Sequence, residues 1–275
     1  MAKYRMVRER LAATGTFAFQ CADLADPAVI ALAHDPAYVD RFMRGTLAPA
    51  VIRRIGFPWS EGLVKRTLAS VGGTLEATGD AFVRGWGGNL AGGTHHAFRN
   101  EGSGFCVFND IAVAIRWLLS TGRICRASVI DLDVHQGDGT AEIFENEPAV
   151  LTISLHGEKN FPFRKKLSKI DVALPDGTRD EDYLLALQQT LPAAFEFHPD
   201  VVFYQSGVDA LESDTLGRLS LTIGGLAARD RIVFSACKSS GAPVVVTLGG
   251  GYSKPIERTA EAHANTFLTA AAILG

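Results

Sequence analysis

"SVIDLDVHQGDGT", residues 128–140, runs from an apolar, β-branched segment straight into Asp131, Asp133, His135 and Asp138. Gathering like charges away from water is costly unless something compensates them. Alternate residues of a strand share a face, so Asp131, Asp133 and His135 point the same way if the strand persists to 135. A face of that composition suits a cation or a reacting group.

Three further runs resemble this one: residues 149–155 (AVLTISL), 200–206 (DVVFYQS) and 243–250 (PVVVTLGG), alongside 127–134 (ASVIDLDV) itself. Nearly continuous apolar runs predict strands buried on both faces, as in a parallel sheet. Helical patterns fall around them at 107–121, 180–196, 225–239 and 255–273, with Asp180 expected to cap the second and Pro192 to end or kink it. Alternation of this kind predicts an α/β class, a three-layer α/β/α single domain over residues 1–275 with a mainly parallel sheet. The segment 157–180 reads as a long loop of functional length. Ligands of such sheets bind beyond the carboxyl ends of the strands, where this chain places Asp133 and His135, then Asp209 in "SGVDA", then Tyr252 in "LGGGY".

Composition narrows the classes. With 47% hydrophobic and 21% charged residues, the 275-residue chain can bury a large core. A net charge of -3 gives no broad attraction for a phosphate backbone, so no nucleic acid partner is expected, and "FRKK" at 163–166 reads as a solvated loop. Cys21, Cys106, Cys125 and Cys237 lack metal-knuckle or redox spacing and read as reduced thiols. The N-terminal residues lack an apolar leader core and no run is long enough to span a bilayer, so a soluble, cytoplasmic protein with no membrane partner is expected.

Asp133, His135 and Asp209 make a three-ligand set with an open fourth position, the pattern of a catalytic zinc site, although carboxylate-rich sets also suit iron (Fe2+) or manganese. The plainer alternative makes Asp133 a turn cap and His135 a core histidine, which three matching strand ends weaken. Upstream, "NLAGGTHHAFRNEGSGFCVFND" (89–110) sets His95 and His96 after a double glycine. Asp131 and Asp138 could each accept a ring N–H from this pair, fixing tautomer and raising basicity. His34, His156, His198 and His263 have no comparable setting and read as structural or surface residues. Tyr252, after three glycines, is either an oxyanion donor opposite the metal or a packing aromatic in a strand-to-helix turn.

Taken together, "LAGGTHHA", "GFCVFND", "DLDVHQGDGT", "SGVDAL" and "LGGGY" occur in the order found in the histone deacetylase family of the arginase–deacetylase superfamily, which the chain resembles from about residue 30 onward. Gln136 and the wording "GFCVFNDIAVA" resemble the class IV branch and its bacterial relatives. The resemblance implies Zn2+ on Asp133, His135 and Asp209, with His96 as general base and acid and His95 as its electrostatic partner. Asp131 would pair with His95 and Asp138 with His96, and Tyr252 would polarise the amide carbonyl. Phe105, Phe161, Gly104 and Gly250 would line the acyl-lysine channel, and a structural K+ would lie near Asp131, Asp133, His135, Ser154 and Leu155. The implied substrates are acylated lysine peptides or proteins, or a small acylated amine such as an acetylpolyamine.

One departure concerns the N-terminus. The family usually has a first strand before the helix that "KYRMVRERL" resembles, so either the sequence starts too late or one strand of the sheet is absent, and the second case would expose an interior edge. A binuclear manganese ureohydrolase is the enzymatic rival, but Gly137 stands where such a site needs a second bridging aspartate. A silent acyl-lysine binding module is the non-enzymatic rival, disfavoured by the presence of His95, His96 and Tyr252 together.

Overall fold

The computed structural model describes residues 2–275. The chain opens with five helices, α1 (Ala2–Ala12), α2 (Pro27–Ile30), α3 (Pro36–Met43), α4 (Pro49–Ile55) and α5 (Glu61–Arg84). Strands and helices then alternate: β1 (Trp86–Asn89), α6 (Asp110–Ser120), β2 (Ala127–Asp131), α7 (Asp138–Ile143), β3 (Val150–Gly157), β4 (Ile170–Leu174), α8 (Asp180–Thr190) and α9 (Pro192–Glu196). β5 (Val201–Gln205), α10 (Ile223–Ser240), β6 (Val244–Thr247) and α11 (Ile256–Leu274) complete it.

The six strands form one sheet in the order β1-β6-β5-β2-β3-β4, and every neighbouring pair is parallel. Alternation within each strand divides the core. Val129, Phe203 and Val245 pack with α5 and α6 on one face, whereas Ile130, Tyr204 and Val246 pack with α1, α10 and α11 on the other. Burial on both faces accounts for the continuous apolar runs, and the resulting three layers are the α/β/α arrangement expected from the sequence.

Several expectations need correction. β2 ends at Asp131, so Asp133 and His135 sit on the turn beyond the strand rather than on its face. Asp180 does not cap its own helix: Arg179 is the cap residue, and the Asp180 carboxylate instead accepts from the Thr222 N–H (2.9 Å) and hydroxyl (2.6 Å) at the start of α10. The segment 157–180 is not a plain loop, because it contains β4, whose half-buried, exposed alternation marks an edge strand. Pro192 does break the helix, separating α8 from α9.

The short strand β1 and the 24-residue α5 were not anticipated. They lie so close that a Cβ on Gly87 would fall 2.0 Å from the Ala77 carbonyl oxygen, which is why β1 is glycine-rich. The outer edge of β1 carries no partner strand among the described residues. No helix among them is long and apolar enough to cross a membrane.

Candidate active site

Three strand ends converge. The turn after β2 supplies Asp133 and His135, the turn after β5 supplies Asp209, and the glycines after β6 close over both. One ligand atom from each of Asp133, His135 and Asp209 lies within 4.8 Å of the others. His135 Nδ1 stands 3.1 Å from Asp133 Oδ1 and 3.1 Å from Asp209 Oδ2. Ligands held about 2.0–2.1 Å from a tetrahedral zinc lie roughly 3.3 Å from one another, so this donor set has the size and the chemistry to hold such an ion.

The second lone pairs of these carboxylates are directed by backbone. Asp133 Oδ2 accepts from Gly250 N (2.7 Å), and Asp209 Oδ1 accepts from Val134 N (2.9 Å). Gly250 cannot carry a side chain, because its Cβ would sit 1.9 Å from Asp209 Oδ2. Burial and the adjacent Asp133 charge push Asp209 up to about 7. Burial alone would lower His135, but hydrogen bonds and charge from Asp133 and Asp209 prevail and raise it to about 10. Two buried carboxylates thus share one imidazolium, an excess of negative charge that a divalent cation would relieve.

The histidine pair follows β1. Gln205 donates to Gly93 O (2.7 Å), and the Asp110 carboxylate gathers the N–H groups of Gly93 (3.0 Å) and Thr94 (2.7 Å). With that turn fixed, His95 Nδ1 meets Asp131 Oδ2 at 2.6 Å and His96 Nδ1 meets Asp138 Oδ1 at 2.7 Å, the pairings expected from the sequence. Burial and the neighbouring His95 lower His96 to about 4, although Asp138 opposes them. For His95 burial is outweighed by Asp131 and Asp133, and it rises to about 9.

These groups open into one cavity of about 1630 Å³, lined by His95, His96, Asp133, His135, Asp209 and Tyr252. Phe161 stands edge-on to His96 with centroids 4.9 Å apart, and Phe105, also in the lining, is 48% exposed and packs against Phe57. Gly104 lies against His96, where a Cβ would come within 2.7 Å of the ring. Tyr252 donates its N–H to Asp214 (2.6 Å), and burial raises its phenol, which therefore stays protonated. Of the residues expected around potassium, Asp131, the last residue of β2, is the register partner of Ser154 within β3, but Asp131 is engaged by His95 and the Ser154 hydroxyl by His156 (3.0 Å).

Three positioning groups escaped the sequence reading. Lys3 is buried, donates to Gly249 O (3.1 Å) and lies 4.7 Å from the Tyr252 ring centroid. Asp110 looks like any acidic residue opening a helix, and Arg229 like any polar residue within one; no local pattern marks them.

Fold and site together define a member of the arginase–deacetylase superfamily, and within it the chain belongs to the histone deacetylase family: residues 1–268 match the family's histone deacetylase domain. An uncharacterized protein of Picosynechococcus sp. is 47% identical over 241 residues, covering 87% of this chain and 80% of that one. Histone deacetylase 2 of Arabidopsis thaliana is 36% identical over 68% of this chain and 50% of its own length, and human histone deacetylase 1 is 38% identical over 60% and 36%. This chain therefore matches half or less of those two eukaryotic relatives. The crystal structure of the HDA15 HD domain superposes with a TM-score of 0.80 at 25% identity, covering 98% of this chain and 82% of that one.

Proposed function

We propose that the protein is a zinc-dependent amidohydrolase that removes acetyl or longer acyl groups from lysine side chains. The observation that carries this reading is the meeting of Asp133, His135 and Asp209 beside the His96–Asp138 pair and Tyr252 in one cavity. Membership of the histone deacetylase family supports a deacetylase.

When bound to Asp133, His135 and Asp209, zinc would supply Lewis acidity to the amide carbonyl and acidify a water. His96 is kept neutral by burial, and with Nδ1–H given to Asp138 its Nε2 lone pair is free to take the attacking water's proton. The same nitrogen can return that proton to the departing lysine amine. His95, held cationic by Asp131, places positive charge beside the developing anion. Tyr252 keeps its phenolic proton and can donate it as a hydrogen bond to the carbonyl oxygen as negative charge grows there. Phe105 and Phe161 offer apolar walls for the four-carbon lysine stem.

The lining of the same cavity also includes Trp86, Leu90 and Phe267, apolar surface that would suit acyl chains longer than acetyl. Zinc content and turnover of acetyl-, octanoyl- and myristoyl-lysine peptides, compared in wild type and Asp209→Ala, test both points. One equivalent of zinc and turnover that vanish together in the variant are expected; undiminished turnover in Asp209→Ala would refute the assignment.

A further inference from the structure

The segment 158–169, EKNFPFRKKLSK, carries five cations, Lys159, Arg164, Lys165, Lys166 and Lys169, against one acid, Glu158. Among the described residues none of the five forms an ion pair with a carboxylate. Lys165 turns back to Asn160 O (2.5 Å) and Pro162 O (2.8 Å), Lys169 reaches Glu145 O (2.7 Å), and Lys166 lies over the Phe98 ring. Lys159 and Arg164 remain exposed. Between these cations Phe163 is 87% and Leu167 80% exposed.

A charged loop is ordinarily a solvated one, but this one is anchored and aimed. Gln136 accepts from Lys166 N (2.9 Å) and donates to Lys166 O (2.7 Å). Asn160 donates to Leu216 O (2.8 Å) and accepts from Arg218 N (3.2 Å), which joins the loop to the 216–218 turn. Through Phe161 the segment touches His96, and Lys159 and Phe163 line the cavity that His96 lines. Of the arginines lining the same cavity, Arg54 pairs with Glu101, Arg84 with Asp80 and Arg218 with Asp176, while Arg66 lies over the Phe57 ring and Arg8 over Phe19. On this loop the charge without a carboxylate partner is therefore positive: Lys159 lines the cavity and Arg164 stands exposed next to Phe163, which lines it too.

We infer that this loop is a recognition surface for the protein segment around the acylated lysine, and that the segment it fits carries carboxylates and an apolar side chain next to that lysine. Charge complementarity selects the occupant: aspartate and glutamate beside the lysine meet Lys159 and Arg164, while a lysine- and arginine-rich tail meets like charge. The location of the acylated residue rests on the proposed hydrolysis; the charge preference of the loop can be read without it.

The test uses the zinc-loaded protein and three acetyl-lysine peptides that differ only in carrying Glu, Ala or Lys at the two positions on either side. Fluorescence anisotropy gives Kd and a coupled assay gives kcat/KM, each for wild type, Arg164→Glu and Lys159→Glu/Arg164→Glu. The Glu peptide should exceed the Lys peptide by about five- to tenfold in both quantities at low salt. The gap should narrow at 0.5 M salt and invert in the double variant, and because the ratio is internal to each protein it does not depend on the fraction of active enzyme. Equal Kd values for the three peptides, or an unchanged preference in a folded double variant, would overturn the inference. Ordered binding without turnover would uphold the loop and remove the hydrolytic reading; turnover without preference would do the reverse. A single-stranded oligonucleotide that displaces the Glu peptide and loses affinity in the double variant would make the loop a general polyanion site, which also overturns it.

Discussion

The rings of His95 and His96 lie 4.2 Å apart at 49°, yet each gives its Nδ1 to a different carboxylate, and they end with opposite charge states. His95 is raised to about 9 and His96 lowered to about 4, so the pair holds one proton in excess across the neutral range. Adjacent groups with divergent proton affinities divide acid and base work between them. Replacing His96 by Ala should lower kcat by about 10²–10⁴, the usual worth of a general base. Asp138→Asn, which leaves the base in place but removes the charge that orients it and supports its basicity, should cost about 10–100-fold. Steady-state kinetics on protein of matched zinc content check both, and a larger loss from Asp138→Asn than from His96→Ala would reassign the base.

Tyr252→Phe keeps the ring packed against Lys3 and removes only the donor. An oxyanion donor acts when charge develops, so the loss should fall on kcat, by about 10²–10³, with KM little changed. An effect confined to KM would make Tyr252 a wall of the pocket instead.

Metal should stabilise the folded chain because the unfolded chain lacks a preformed Asp133–His135–Asp209 site. At a hundredfold excess over Kd the gain is about 2.7 kcal/mol, visible as a zinc-dependent rise in Tm. Asp209→Ala should abolish that rise, and a chelator should remove it from wild type. A Tm that responds to zinc equally in both proteins would place the ion elsewhere.

What could be read from the sequence, and what could not, follows from how each element is buried. β2, β5 and β6 are buried along their whole length and announce themselves as apolar runs with chemistry at their carboxyl ends. β4 lies at an edge and β1 is Trp-Gly-Gly-Asn, so neither shows such a run. The buried face of α5 includes Thr67, Gly72, Gly73, Thr74 and Thr78, which blurs the apolar period. The metal-ligand candidates and their partners were legible because strand ends and glycine turns confine them to short motifs. Lys3, Asp110 and Arg229 were not, since a buried charge is recognised only by the partners that the fold brings to it.

His34 offers a pH test remote from the metal ligands. Its Nδ1 donates to Phe98 O (2.9 Å) and its Nε2 accepts from Asn109 N (2.9 Å), an arrangement that requires the neutral ring. Burial lowers it to about 4 from the ordinary 6.5, so between these values the unfolded chain binds the proton and the folded one does not. The His34 contribution should therefore be level above about pH 6.5, fall by about 3 kcal/mol as pH drops towards 4 and level again below. His156, also lowered to about 4 by burial, adds in the same direction. Urea unfolding at pH 7, 5.5 and 4.5 should show a slope smaller by about one proton in His34→Gln. An identical slope would mean that His34 keeps its ordinary proton affinity.

Arg229 joins the two ligand-bearing turns from beneath. Its Nη1 donates to Gly207 O (2.6 Å) and Leu132 O (3.4 Å), its Nη2 to Ser206 O (3.3 Å), and its Nε to Asp230 (2.9 Å). Leu132 immediately precedes Asp133, and Gly207 is two residues before Asp209, so one guanidinium sets the spacing of both carboxylates. Asp230 in turn accepts from the hydroxyls of Tyr204 (2.5 Å) and Thr266 (2.6 Å), and both charges are almost fully buried. Removing one member of such a pair strands the other: Arg229→Met should destabilise the metal-free protein by about 3–5 kcal/mol, and Arg229→Met/Asp230→Leu by less than the single change. Because the spacing of Asp133 and Asp209 is lost as well, zinc affinity measured by chelator competition should fall in both variants. Zinc affinity that recovers with stability in the double variant would show that Arg229 supports the fold without setting the site.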